Sequence, residues 1–297
     1  MKNLFKLGFA IIAASMMFAA CDLMPWDREE SLDPESVFDD NLVPVENEFD
    51  RWLQKNYVEP YNIQVKYRFE DKESDTKYNV TPAQIDKSIA LAKIIKFLWL
   101  ESYEELLGEA FIRQLCPKVL HFVGSPEYDG DGSIVLGTAD SGMKITLFNL
   151  NSLNLQKLDI DNLNEMYFHT MHHEFAHILH QTKNYTTDFN TISLDYQGPS
   201  WVNLKDQEAL DMGFLTPYGS SEPNEDFVEL ISMYVTHTSA WWTSTVNKAS
   251  AEGKEKINSK MDIIRDYLKT QWSIDLDTLR SIVQKRSELV TGLDLTL

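Results

Sequence analysis

His173-Glu174-Phe175-Ala176-His177 places two imidazoles four residues apart with a carboxylate beside the first. On a helix, positions i and i+4 share a face, so both rings can reach one metal ion. This is the H-E-x-x-H arrangement, in which Zn2+ takes both histidines and the glutamate acts as general base toward a water in hydrolysis.

Catalytic zinc takes three protein ligands and keeps a position open, so the pair needs a third donor. His180 is nearest in sequence, but on an unbroken helix positions 173 and 180 stand about 10 Å apart along the axis, too far to close on one ion. The metzincin pattern also fails, because Lys183 occupies the place of its third histidine. His180 and His169 are therefore read as packing residues or as supports for the ligand histidines. Glu225 is the preferred third ligand. It lies one turn into a later helix with Glu229 four residues on, so one carboxylate can meet the metal while the other holds a histidine by its free N–H. The assignment is Glu225 as ligand and Glu229 as support. The reverse stays open, as does a solvated acidic first turn favoured by the helix dipole.

These side chains need a scaffold. Glu46 to Tyr57 has helical spacing, and Tyr61 to Phe69 alternates as a strand does. Thr81 with Pro82 opens a long apolar helix that stops at Gly108. Val119 to Val123, Ile134 to Gly137 and Lys144 to Phe148 are short strand-like runs just upstream of the histidine helix. That helix is expected from Asn162, where Asn162-x-x-Glu165 forms a capping box, to about Gln181. Ser221-Glu222-Pro223 starts the helix of Glu225 and Glu229, and segments Glu252 to Gln271 and Asp277 to Val290 complete the chain.

The first twenty residues carry Lys2 and Lys6 before an apolar stretch, then Phe18-Ala19-Ala20-Cys21. This resembles a bacterial lipoprotein signal, with cleavage before Cys21 and lipid on its sulfur; an ordinary secretory signal or short anchor is the alternative. Residues 21–45 are acidic, proline-containing and weakly periodic, as in a tether, and 46–297 form the folded domain with its metal motifs at 173–229. Loss of Lys2 and Lys6 with the signal takes the formal charge from −19 down by two to −21. Such acidity argues against nucleic acid as a partner. Cys116 is the one remaining thiol, which leaves no disulfide framework and no cysteine metal site.

His173-Glu174-Phe175-Ala176-His177, Tyr218-Gly219 and Glu225-Asp226-Phe227-Val228-Glu229 together resemble the gluzincin metallopeptidases, particularly the catalytic domain of anthrax lethal factor. With the lipoprotein signal and Pro60-Tyr61-Asn62-Ile63-Gln64-Val65-Lys66-Tyr67-Arg68, the chain is similar over most of its length to zinc metallohydrolase lipoproteins of Bacteroidetes that accompany SusC/SusD-type import systems. The resemblance implies an α+β fold: a mainly helical, zincin-like domain with a small mixed sheet beside the active-site helix. It implies Zn2+ held by His173, His177 and Glu225, with Glu174 and Tyr218 catalytic. Tyr218 would donate a hydrogen bond to the oxyanion, the alternative being an aromatic packed beside a turn. It also implies an edge strand that binds extended peptide, for which Lys144 to Phe148 is the candidate.

The leading expectation is a membrane-anchored zinc peptidase, lipidated at Cys21, in the cell envelope and most readily the outer membrane of a Gram-negative bacterium. Its partners would be a peptide or protein substrate and a SusC/SusD-type transporter. Two rivals remain: a non-catalytic surface lipoprotein that keeps its metal site for nutrient capture, and a structural lipoprotein with an ordinary buried histidine helix.

Overall fold

The structure is a computed structural model that describes residues 46–70, 79–128, 134–135, 137–140 and 143–297. The signal at 1–20 and the whole tether at 21–45, Cys21 included, lie outside the described residues. Glu48–Leu297 forms one compact unit.

The architecture is α+β and mainly helical, with a small mixed sheet. Helix α1 (Glu48–Leu53) runs on through a wider π turn, Gln54–Val58, to a last turn at Glu59–Tyr61. Strand β1 is only Gln64–Lys66, shorter than the alternation from Tyr61 to Phe69 suggests, because Tyr61 still belongs to the helix. Helix α2 (Ile85–Ile95) passes through a π turn, Lys96–Leu100, into α3 (Glu101–Leu107). It starts after Gln84 rather than at Thr81-Pro82, since Pro82 is drawn into a β-bridge with Val123. Gly108 ends it with φ of 85°, a left-handed value that L side chains avoid, and α4 (Glu109–Leu115) follows.

The strands are β2 (Val119–Phe122), β3 (Glu127–Tyr128), β4 (Ile134–Val135), β5 (Gly137–Asp140) and β6 (Lys144–Leu147). The run Ile134 to Gly137 is thus divided: β4 pairs with β3 in a separate ribbon, while β5 joins the main sheet. The main sheet has the order β1-β2-β6-β5, the first three parallel and β5 antiparallel to β6. Val65, Leu120 and Ile145 align in register and are buried together. Parallel pairing of β1 with β2 needs a long crossover, which α2, α3 and α4 supply.

Helix α5 (Ile160–Leu163) leads through a π turn, Asn164–Phe168, into α6 (His169–Thr182). Its N-cap is Asp159, whose side chain accepts from the N–H groups of Asp161 and Asn162. The capping box expected at Asn162 and Glu165 therefore does not form, because Asp159 already satisfies those first donors. Beyond α6 come α7 (Asp206–Met212), α8 (Pro223–Thr236), α9 (Ser239–Val246), α10 (Ala251–Trp272) and α11 (Leu276–Leu289). Pro223 opens α8 at a position where its missing N–H costs nothing.

The core fixes the orientation of α6. Met171, Phe175 and Leu179 recur at helical spacing and are buried. Phe175 meets Trp99 edge-on at 5.6 Å and Tyr103 at 4.9 Å between ring centres. Aromatic pairs of this geometry add about 0.5–1.5 kcal/mol beyond area burial, so rotation of α6 about its axis is opposed. The histidine face is thereby turned toward α8.

Candidate metal centre

Helices α6 and α8 pack along their length, each offering an i, i+4 pair to the other. His173 and His177 come from α6, Glu225 and Glu229 from α8. Glu225 Oε2 lies 3.0 Å from His173 Nε2, and Glu225 Oε1 lies 3.3 Å from His177 Nε2. The donor atoms of His173, His177 and Glu225 all lie within 4.8 Å of one another.

Glu229 sits one turn deeper. Its Oε2 accepts from His169 Nε2 at 2.8 Å and from His173 Nδ1 at 3.1 Å, and its Oε1 accepts from the Thr216 hydroxyl at 2.9 Å. Both oxygens are thus engaged, in a residue that is only 3% exposed. His180 plays the matching part for the second imidazole, its Nε2 lying 2.9 Å from His177 Nδ1. Burial, helped by the neighbouring His177, pulls His180 down to about 4, so its ring is neutral at neutral pH and its Nε2 can accept from His177 Nδ1–H. The Nδ1–H groups of both His173 and His177 are therefore spoken for, and each Nε2 is left to face Glu225.

This donor set fits a divalent cation. A neutral imidazole donates once and accepts once, yet His173 has carboxylate oxygens at both nitrogens. Either the ring carries a second proton, or a cation lies between its Nε2 and Glu225. In the protonated form burial opposes the charge, but hydrogen bonds to Glu225 and Glu229 outweigh it and hold His173 near 9. Burial likewise works to raise both glutamates, and the histidine contacts overcome it, leaving Glu225 and Glu229 well below the usual carboxylate range. Two imidazole nitrogens and one carboxylate match the three-ligand pattern of catalytic zinc.

Around the cluster, burial pushes Glu174 upward, with Glu225 adding to it and His173 and His177 opposing. Tyr218 begins a short 3-10 turn, Tyr218–Ser220, with its ring centre 5.8 Å from that of His173 and 5.1 Å from Trp201. Burial and the adjacent Glu225 carboxylate, with which its hydroxyl hydrogen-bonds, raise the Tyr218 phenol. Its turn is tied to the metal cluster, because Thr216 Oγ1 accepts from Gly219 N–H while its own hydroxyl reaches Glu229.

Thr216 and Lys260 escaped the sequence reading, and Asp226, which a solvated acidic first turn would have left in water, is buried. Thr216 belongs to no periodic pattern. Asp226 and Lys260 form a buried ion pair at 2.5 Å, with Tyr196 donating to the same Asp226 oxygen at 2.9 Å. Burial drives Asp226 up to about 6 despite Lys260, and drives Lys260 down. A signal for Lys260 did exist: it falls beside Ile257, Met261 and Ile264 on the buried stripe of α10.

One expectation is overturned. Lys144 to Phe148 is not an edge: β6 is paired on one side with β2 and on the other with β5. Among the described residues β1 and β5 are the outer strands of this sheet, and β5 contacts α6.

Fold and site together define a metallopeptidase-like α+β frame carrying a two-histidine, one-carboxylate donor set. The sequence profile of the family described as "putative zinc-binding metallo-peptidase" matches residues 43–277. A crystal structure of a protein of the same description from Bacteroides caccae ATCC 43185 is 44% identical, covers 83% of this chain and 94% of its own, and superposes with a TM-score of 0.74. No curated protein matches the sequence significantly. The chain belongs to this zinc-binding metallo-peptidase family, whose cofactor is Zn2+.

Proposed function

We propose that the protein is a gluzincin-type zinc peptidase in which His173, His177 and Glu225 hold the ion, Glu174 is the general base and Tyr218 assists the oxyanion. The observation that carries this reading is the division of labour between the two glutamates. Both oxygens of Glu229 are spent on His169, His173 and Thr216, whereas each oxygen of Glu225 faces a histidine Nε2.

Zinc bound here supplies a Lewis acid that polarises the substrate carbonyl and makes an adjacent water more acidic. Glu174 takes the proton of the attacking water and passes it to the departing amine. Burial raises its proton affinity, which favours taking up that proton. The Tyr218 hydroxyl donates to the oxyanion that water addition creates, an interaction absent from the ground state. Glu229 and His180 fix the tautomers of the ligand histidines, and His169 in turn holds Glu229. An extended substrate pairs with the outer strand β5, whose antiparallel edge stands beside α6.

We propose, from its lipoprotein-like signal, that the protein is held by lipid on Cys21 in the outer membrane of a Gram-negative cell and, from the family resemblance alone, that it works beside a SusC/SusD-type importer. Glu174→Gln tests the chemistry: it retains zinc and loses hydrolysis of a peptide library. Retained hydrolysis would remove Glu174 from the mechanism. Cys21→Ala tests the anchor, and shifts the protein from the membrane to the soluble fraction if the assignment holds.

A further inference from the structure

The stretch from Tyr196 to Trp201 has little reason of its own to hold a fixed shape. Its 3-10 turn, Gly198–Asn203, contains no buried residue, and Val202 and nearby Leu194 are 62% and 78% exposed. Core burial, the usual compensation for ordering a chain, is missing from this turn.

The stretch is instead tied to the Tyr218 turn and to the start of α8. The Tyr196 hydroxyl donates to Asp226 Oδ2 at 2.9 Å, one residue from Glu225. The backbone N–H groups of Gln197 and Gly198 donate to the carbonyls of Ser220 and Ser221 at 2.7 and 3.1 Å, which sews the strap to the end of the Tyr218 turn. Trp201 then meets Tyr218 edge-on, with ring centres 5.1 Å apart and planes at 76°.

Tyr218 needs such support. It is 36% exposed and begins a turn of three residues, so its own surroundings leave the ring more than one staggered orientation. In the observed one the ring lies 5.8 Å from that of His173 and the hydroxyl bonds to Glu225, at the metal cluster. An indole in contact with the same ring closes one direction in which it could turn away.

We infer that Trp201 is a positioning residue for the proposed reaction: with the strap from Tyr196 to Gly198 it holds the Tyr218 ring against His173, so that the hydroxyl is in place when the oxyanion forms. The inference rests on the reading of Tyr218 as oxyanion donor given above. An interaction made only as charge develops lowers the barrier and leaves substrate binding unchanged, so loss of this brace is felt in kcat and not in KM. A residue that bound substrate directly would show the opposite split.

The test compares zinc-loaded parent, Trp201→Ala, Trp201→Phe, Tyr218→Phe and the Trp201→Ala, Tyr218→Phe double variant on the fastest-cleaved peptide of a quenched-fluorescence library. Tyr218→Phe is expected to lower kcat about 100-fold, the scale of one lost oxyanion donor. Trp201→Ala lowers it about 3–10-fold at unchanged KM, the worth of one aromatic pair, and Trp201→Phe restores most of that. In the Tyr218→Phe background Trp201→Ala costs nothing further. Affinity for a phosphonamidate tripeptide, whose tetrahedral anion mimics the adduct, falls in the same pattern without any turnover. Zinc content and melting temperature stay at the parent's values. Unchanged kcat and analogue affinity in Trp201→Ala, a rise in KM alone, an equal loss with and without the Tyr218 hydroxyl, or a loss matched by a fall in zinc content overturns the brace. Absence of any cleavage sinks the peptidase reading while analogue binding still decides the brace, and full kcat in Tyr218→Phe removes Tyr218 from the mechanism and the brace with it.

Discussion

His173 Nδ1 lies 3.1 Å from Glu229 Oε2, a contact that aims the opposite nitrogen of the ring at Glu225. Because Glu229 also accepts from His169 and Thr216, it couples the histidine helix to the Tyr218 turn. Glu229→Gln keeps the shape and can still accept, but it loses the charge that makes His173 a stronger ligand. Zinc affinity is expected to fall about 10–100-fold, as is usual when a residue supporting a ligand histidine is altered. Competition titration with a chromogenic chelator reads this directly, and an unchanged affinity would mean that Glu229 serves packing alone.

Asp226, next to Glu225 in sequence, pairs with Lys260 and so ties α8 to α10. Lys260→Met leaves a buried carboxylate without its counter-ion, and is expected to cost about 3–5 kcal/mol. The Asp226→Asn, Lys260→Met double variant removes both charges and should recover much of that loss. Urea midpoints at constant zinc measure both; a single variant as stable as the double would contradict the pairing.

Zinc and protons compete at His173. In the metal-free protein burial is outweighed by Glu225 and Glu229, so the folded-state pKa of about 9 lies above the ordinary 6.5. The stabilisation from this group is therefore complete below about pH 6.5 and is lost as pH rises through 9, a difference on the order of 3 kcal/mol. Zinc takes the place of that proton, so the zinc-loaded protein lacks this loss. The rise in melting temperature on adding zinc should grow between pH 6.5 and 9, and a shift independent of pH would contradict proton displacement.

Much of this arrangement was legible before any coordinates. The four-residue spacings of His173 with His177 and of Glu225 with Glu229 follow from helical geometry alone, so the pairs could be found and their facing sides guessed. The α+β class came from the family resemblance, and the apolar helices and short strand-like runs agreed with it. Strand order was not, because β6 acquires its neighbours from β2, remote in sequence, and from β5, whose run looked continuous with β4. Caps were misplaced where a nearby acid competed: Asp159 rather than Asn162 starts α5. Thr216 and Lys260 act through tertiary contacts across different elements, and periodicity within one element carries no trace of such partners.

The central claim is that Glu225, and not Glu229, completes the zinc site with His173 and His177. Zinc content and X-ray absorption at the zinc edge, measured on the wild type, Glu225→Ala and Glu229→Ala after identical dialysis, test it most directly. The account predicts about one zinc per chain with two imidazoles and a carboxylate in the wild type, loss of the metal in Glu225→Ala, and a weakened site of the same ligands in Glu229→Ala. Full zinc retention with an unchanged absorption spectrum in Glu225→Ala would contradict it.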